Sequence, residues 1–471
     1  MAAKLVYRFR EGGEGKRPIL GGKGAGLAEM TRIGLPVPPG FTITTQACKI
    51  YYESGQKLPE FLEEDVVRHM KELEEETGKT FGGEHEPLLV SVRSGAPISM
   101  PGMMDTILNL GLNDRSVLGL YDATQDLRFS YDCYRRFIQM FGNVVLDIEH
   151  REFEKAFSGL KKAEGAAQDQ DVSAEGMKAL VKTYKAIIKE KAGIDFPSDP
   201  YEQLFMAVSA VFSSWNNERA IIYRRINKIP DNLGTAVNIQ TMVFGNMGSG
   251  SATGVMFTRD PSTGENVLYG EYLMNAQGED VVAGLRTPEH ISEIDNDLPG
   301  MFDQLKGVSD LLEDHYRDMQ DIEFTIEHNK LYILQTRTGK RTAQASLEIA
   351  RALFKEGKIS KEEAVKRVKP EEVSRLLHRG IDPNARTEVL ANGLPASPGA
   401  ATGKVIFDTQ VAESLGEQGE KVILVRPETT PDDMPGIVYA QGILTSRGGM
   451  TCHAAIVARG MGKPAVVPDR S

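Results

Sequence analysis

The spacing of apolar residues changes period several times along the chain, and each change marks a different kind of element. Up to about residue 110, short apolar runs are broken by Gly and Pro. Ile19-Leu20 leads into Gly21-Gly22-Lys23-Gly24, and Ala25 to Ile33 then predicts a short helix. Gly34 and the prolines at 36, 38 and 39 stop it, and Phe41 to Thr45 restarts as a strand. Leu88 to Val92 predicts a second strand, followed by the loop SGAPISMPGMMDT. From about Asn113 to Pro197 the spacing turns helical. Tyr131 to Met140 and Met177 to Lys191 carry it most clearly, with the polar loop EGAAQDQDVSAEG between them. This block predicts a helical insertion, about residues 112–197, in an α/β body. Ala236 to Phe244 returns to strand, then comes the loop GNMGSGSATG, then a strand at Val255 to Thr258. Ala343 to Leu377 predicts helices, one ending at Gly357 and the next opening on a capping box of Ser360 with Glu363. The polar stretch HRGIDPNARTEVLANG reads as a linker. Beyond it, Thr402 to Phe407, Val422 to Val425 and Gly442 to Thr445 predict a compact β-rich segment.

Asp321 to Arg337 alternates with period two on both sides of a short polar turn, which predicts a β-hairpin. Pairing Glu327 with Leu331 across the turn sets Glu323 opposite Gln335 and Asp321 opposite Arg337. Ile322, Phe324, Ile326, Tyr332 and Leu334 then share the buried face. The other face gathers two carboxylates, an amide and a guanidinium. Oxygen ligands on a stiff sheet suit Mg²⁺ with bound phosphates, and Arg337 can neutralise phosphate oxygens. A solvated face with a cross-strand ion pair satisfies the same pattern, and a one-residue slip would undo the Glu323/Gln335 pairing.

Ser446-Arg447-Gly448-Gly449-Met450-Thr451-Cys452-His453, followed by AAIVARGMG, breaks a strand at two glycines and starts a helix, with Thr451 as the expected N-cap. His453 falls in the first helical turn. There the unpaired N–H groups favour an anion and disfavour imidazolium, leaving a neutral ring able to attack phosphorus. The plainer alternative is a polar first-turn residue beside a tight turn. Gly21-Gly22-Lys23-Gly24, ahead of a helix, and Gly248 to Gly254, between strands, could each cradle phosphate. Neither fits the P-loop or dinucleotide fingerprint. Arg93, directly after the strand LLVSV, sits where functional groups are often displayed.

Composition narrows the classes. The chain has 471 residues, 41% hydrophobic and 26% charged, and its formal net charge of −11 offers no broad basic surface for nucleic acid or anionic lipid. Cys48, Cys133 and Cys452 are scattered, with no zinc spacing, so a reducing compartment is expected. The start carries charges throughout and lacks a signal-peptide core, and no apolar run approaches the roughly 20 residues of a membrane span. The expected location is the cytoplasm.

Taken together, GGKGAGLAEM, SVRSGAPISMPGMMDTILNLGLND, NIQTMVFGN, ATGVMFTRDPSTGE, GEYLMNAQGEDVVAG, FTIEHNKLYILQTRTGKRTA, LPASPGAATGKV and GGMTCHAAIVARGMGKPAVV closely resemble the pyruvate, phosphate dikinase family over nearly the whole chain. The resemblance implies an α/β, multidomain fold. Its parts would be an ATP-grasp nucleotide-binding domain at 1–340, a helical linker at 341–390 and a swivelling β/β/α phosphohistidine domain at 391–471. It implies that His453 is phosphorylated, and that Lys23, Arg93, Thr253, Gly254, Asp321, Glu323, Gln335 and Arg337 serve ATP and its Mg²⁺, with Glu323 and Gln335 on the metal. Arg136, Gln240, Met242, Glu279 and Asp280 are secondary candidates. Thr451 matches a position that a regulatory kinase/phosphorylase modifies in some members. The family reaction converts ATP, inorganic phosphate and pyruvate to AMP, diphosphate and phosphoenolpyruvate, and its members form homodimers. The family's C-terminal barrel for pyruvate and phosphoenolpyruvate is expected to be absent from these 471 residues, and the phosphohistidine domain truncated. The chain is therefore expected to perform only the ATP/phosphate half-reaction. Alternatives are the water-using phosphoenolpyruvate synthase and a non-catalytic nucleotide-binding module.

Overall fold

The computed structural model describes residues 4–98, 100, 103–278, 280, 287–370 and 390–468. The fold is mixed α/β, and the chain divides into two compact units, Met1–Val243 and Phe244–Ser471.

The first unit is built on a five-stranded sheet in the order Val6–Arg8, Gly40–Ile43, Ala236–Thr241, Val90–Gly95, Thr106–Leu110, antiparallel throughout. Val6, Phe41, Ile43, Val90, Val92 and Ile239 bury its faces. The first helix starts earlier than its spacing suggests. It runs Arg17–Arg32, with Pro18 in its opening turn, and is interrupted at Gly21, whose backbone is non-helical. Helices Leu127–Val144 and Ala174–Ala192 contain the two segments read from spacing, and each has a side-chain N-cap, from Asp126 and Ser173. Between them lies a further helix, His150–Glu164, which buries only Phe153 and Phe157 and so carries a thin apolar stripe.

The second unit contains two sheets. One runs Glu289–His290, Tyr269–Met274, Ala252–Phe257, Gln320–Glu327, Lys330–Thr338, all antiparallel. Helix Ala343–Lys355 packs on it through Ile349 and Leu353, beside Phe257 and Met319. The fully buried Arg259 guanidinium donates to Glu313 at 2.7 and 2.9 Å and to Glu356 at 2.6 Å, tying the segment after that helix to helix Met301–Tyr316.

The other sheet runs Gly393–Ser397, Ala465–Pro468, Gly442–Thr445, Val422–Arg426, Lys404–Ile406, parallel except at its first strand. Gly442–Thr445 and Ala465–Pro468 are parallel neighbours, so the chain must cross over between them, and helix His453–Met461 is that crossover. Most of the linker expectation HRGIDPNARTEVLANG, and the helical expectation beyond residue 370, lie outside the described residues. Among the described residues no helix is long and apolar enough to cross a membrane.

Candidate active site

The hairpin forms, but its tip differs from the expected pairing. Glu327 pairs with Lys330, not Leu331, around a two-residue turn of His328 and Asn329, both at positive φ (47 and 61). A β-bulge between Glu323 and Phe324 then absorbs one residue of the opposite strand, restoring Glu323 opposite Gln335 and Asp321 opposite Arg337. The expected polar cluster therefore forms, while the buried set on the return strand is corrected. Leu331 and Ile333 are buried, and Tyr332 and Leu334 are only half-buried, because the tip is shifted by one residue.

On this face Arg337 Nε donates to Asp321 Oδ2 at 2.7 Å, and Gln335 Nε2 donates to Glu323 Oε1 at 3.3 Å. Asp321 holds Arg337 firmly protonated, while burial pushes the Asp321 carboxyl up against the opposing pull of Arg337. The second oxygen, Asp321 Oδ1, is buried with no hydrogen-bond partner. Thr253 and Gly254 lie inside the neighbouring strand, buried, in register with Thr325 and Phe324. The Thr253 hydroxyl donates to the Phe324 carbonyl at 3.1 Å. Asp280 is buried and accepts from the Gln277 N–H at 3.0 Å. Glu279 lies outside the described residues.

His453 is the first residue of its helix. Its Nδ1 lies 3.0 Å from Thr429 Oγ1, and its Nε2 is buried with no partner. Burial chiefly, with a contribution from the Lys340 ammonium, pushes its pKa down to about 4, against the opposing charge of Asp433. The ring is thus neutral at pH 7. With the proton on Nδ1 facing Thr429, the lone pair stands on Nε2. Asp433 fixes the Thr429 segment by accepting from the Thr430 N–H at 2.8 Å in a capping box.

Thr451 is not the N-cap. Cys452 takes that position without a side-chain cap bond, because the Thr451 hydroxyl donates instead to Glu271 Oε2 at 2.6 Å. The same carboxylate accepts from the Met450 N–H at 2.9 Å and the Thr451 N–H at 3.4 Å. Gly449 allows this approach, since a Cβ there would stand 2.5 Å from Glu271 Oε1. Sequence reading missed Glu271, Thr429 and Asp433. The signal available for Glu271 was an acidic residue within the otherwise apolar strand YGEYLM.

In the first unit, Gly21 has φ 69 and the Gly95 carbonyl oxygen would stand 1.7 Å from a Cβ placed on it. Only glycine fits there. The turn tucks onto the end of strand Val90–Gly95, with the Gly22 N–H donating to the Ala96 carbonyl at 2.8 Å. That brings Lys23, in the resumed helix, beside the strand carrying Arg93; the Lys23 Cβ lies 3.5 Å from a Cβ placed on Gly95. Gln240 is buried and donates to the Pro38 carbonyl at 3.2 Å, and Met242 is half-buried beyond the same strand. Arg136 pairs with Asp132 at 3.0 Å on helix Leu127–Val144.

A family profile described as "Pyruvate phosphate dikinase, AMP/ATP-binding domain" matches residues 17–66, 54–301 and 301–358. The chain belongs to the pyruvate, phosphate dikinase family. A second profile, "PEP-utilising enzyme, mobile domain", matches residues 418–468, which include His453. The chain is 55% identical to "Pyruvate, phosphate dikinase" of Clostridium symbiosum over 98% of its own length and 53% of that protein's. It is 54% identical to the Rhizobium meliloti protein of that name, over 98% and 54%. It is 52% identical to "Pyruvate, phosphate dikinase 1, chloroplastic" of Arabidopsis thaliana, over 98% and 49%. The chain thus spans about half the length of the relatives it matches.

Proposed function

We propose that this chain performs the ATP/phosphate half-reaction of a pyruvate, phosphate dikinase, with His453 as the phosphoryl acceptor. The whole reaction would convert ATP, inorganic phosphate and pyruvate to AMP, diphosphate and phosphoenolpyruvate. The observation that carries this reading is the His453 ring, neutral, hydrogen-bonded through Nδ1 to Thr429, with a buried and unpartnered Nε2. The Nε2 lone pair attacks the β-phosphorus of ATP and AMP leaves with the bridging oxygen. Inorganic phosphate then takes the terminal phosphoryl as diphosphate, and phosphohistidine remains. Such transfers depend on positioning and charge neutralisation more than on acid–base chemistry.

Arg337 would neutralise phosphate oxygens in the second unit, and Lys23 and Arg93 would do so in the first. The orphaned Asp321 Oδ1, together with the Glu323 carboxylate and the Gln335 amide, makes an oxygen donor set suited to Mg²⁺. Among the described residues no cluster of three or more His, Cys, Asp or Glu is placed to hold a metal ion. Glu323 and Gln335 would hold the Mg²⁺, and when bound it supplies charge neutralisation on the phosphates. Thr451 faces the Glu271 carboxylate, so a phosphate placed there by a regulatory enzyme would be repelled from this arrangement and would crowd His453. The three buried, unbridged cysteines support a reducing, cytoplasmic setting.

Incubation with [β-³²P]ATP, Mg²⁺ and phosphate tests the reading. Acid-labile label on the parent chain and none on His453→Ala is expected. ATP binding without label on either would instead support a nucleotide-binding module. In a parallel reaction with [γ-³²P]ATP, the label is expected to leave as diphosphate only when phosphate is added; its release as orthophosphate with water as the acceptor would favour the water-using relative.

A further inference from the structure

We propose that Lys340 is a catalytic residue whose ammonium contacts the phosphoryl group in transit between the nucleotide and His453. This rests on the function proposed above and adds to it a residue that neither the hairpin pattern nor the phosphohistidine loop pointed to. Lys340 follows the hairpin strand Lys330–Thr338 and lies three positions beyond Arg337. Its side chain runs across Gly460, where a Cβ would stand 3.2 Å from both its Cδ and its Nζ. Gly460 is seven residues after His453 on the same helix, a spacing that puts both on one face. The ammonium therefore lies on the side of the helix that carries the reacting ring, and its charge contributes to keeping His453 neutral. The charges of Arg337 and Asp321 also reach it.

Among the described residues Lys340 makes no hydrogen bond or ion pair, and it is half-buried. Burial and the neighbouring Arg337 charge both work against its protonated form, and Asp321 offsets them only in part. A cation held beside another cation without a partner is costly unless an anion joins them. The anion that fits is a polyphosphate reaching from Arg337 toward His453 Nε2, itself buried and unpartnered. In the transfer, Nε2 forms a bond to the β-phosphorus. The bond from that phosphorus to the oxygen it shares with the α-phosphorus breaks, and this oxygen departs with its electron pair on AMP. The ring proton stays on Nδ1, facing Thr429. Lys340 exchanges neither proton nor bond; it neutralises the non-bridging oxygens as charge moves across the phosphorus.

The test uses the full chain with [β-³²P]ATP and Mg²⁺ in rapid-quench labelling, comparing parent, His453→Ala, Lys340→Met and Lys340→Arg. Binding of a non-hydrolysable ATP analogue is measured by calorimetry on the same samples. Lys340→Met is expected to slow labelling about 100-fold. Its affinity for the analogue should stay within about threefold of the parent, the signature of an interaction made mainly in the transition state. Lys340→Arg, which keeps the charge, is expected to recover about tenfold of the loss. A Lys340→Met chain that labels at the parent rate overturns the proposal. So does one that loses label and analogue affinity together, with Lys340→Arg no better, since that pattern marks a structural role. A parent chain that takes no label, or label that survives in His453→Ala, overturns the functional reading itself, and this inference with it.

Discussion

Replacing Glu271 by Ala tests what holds the loop before His453 in place. Its carboxylate accepts from the Met450 N–H at 2.9 Å and the Thr451 hydroxyl at 2.6 Å, with a longer contact to the Thr451 N–H at 3.4 Å. Hydrogen bonds to a charged acceptor contribute about 1.5–3 kcal/mol each, and the donors left behind are buried. Water entering the space left by the side chain would restore part of this, so a net loss of about 3 kcal/mol is expected from the two short bonds. At about 1.4 kcal/mol per decade, local opening of residues 450 and 451 should become on the order of 100-fold more frequent. Amide hydrogen exchange at these two positions reads that opening. Glu271→Gln, which keeps one acceptor oxygen but turns an N–H toward the Thr451 donors, should fall between parent and Ala. Exchange within about twofold of the parent in Glu271→Ala would refute the reasoning, because it would mean that the loop is held by its own packing.

Thr429→Val removes the Nδ1 partner without changing shape, and labelling of His453 by [β-³²P]ATP should slow about tenfold, the equivalent of one lost hydrogen bond. Rates equal to the parent would show that Thr429 does not set the tautomer. The His453 ring should remain neutral until the pH falls to about 4, seen as ring ¹⁵N shifts that do not titrate near the ordinary value. Because the unfolded ring binds its proton first, the buried neutral ring contributes stability present above pH 6.5 and lost as pH drops from 6.5 toward 4, about 1.4 kcal/mol per unit. Gly21→Ala forces a Cβ onto the Gly95 carbonyl at a positive φ, and should cost about 2 kcal/mol or more in thermal unfolding. It should also weaken binding of an ATP analogue by displacing Lys23; unchanged melting would contradict the close approach.

How much of this was legible in the sequence depends on the distance over which each feature is decided. The hairpin and its polar face follow from period-two alternation, which is local. Its tip did not follow, because the turn chemistry of His328-Asn329 and the bulge beyond it shift the register by one and then shift it back. Alternation therefore gave the right partners at Asp321 and Glu323 but the wrong buried residues at 331–334. His453 at a helix start was readable from two glycines followed by an apolar helical run. Thr451 differs from the expected cap because its partner, Glu271, lies 180 residues away, and no local pattern reports such a contact. The same limit hid Thr429 and Lys340, which are remote in sequence from His453 and its helix and meet them only in the folded chain. Helix His150–Glu164 has a weak sequence signal because charged residues crowd its two buried aromatics.

The half-reaction turns on a neutral His453 that presents Nε2 to phosphorus. Phosphorylating the chain from ATP with histidine-ring ¹⁵N labelling, then recording ³¹P–¹⁵N coupling, addresses it most directly. One phosphorylated histidine is expected, residue 453, with phosphorus bonded to Nε2 and the proton on Nδ1. Phosphorus on Nδ1, or on any other residue, would contradict it.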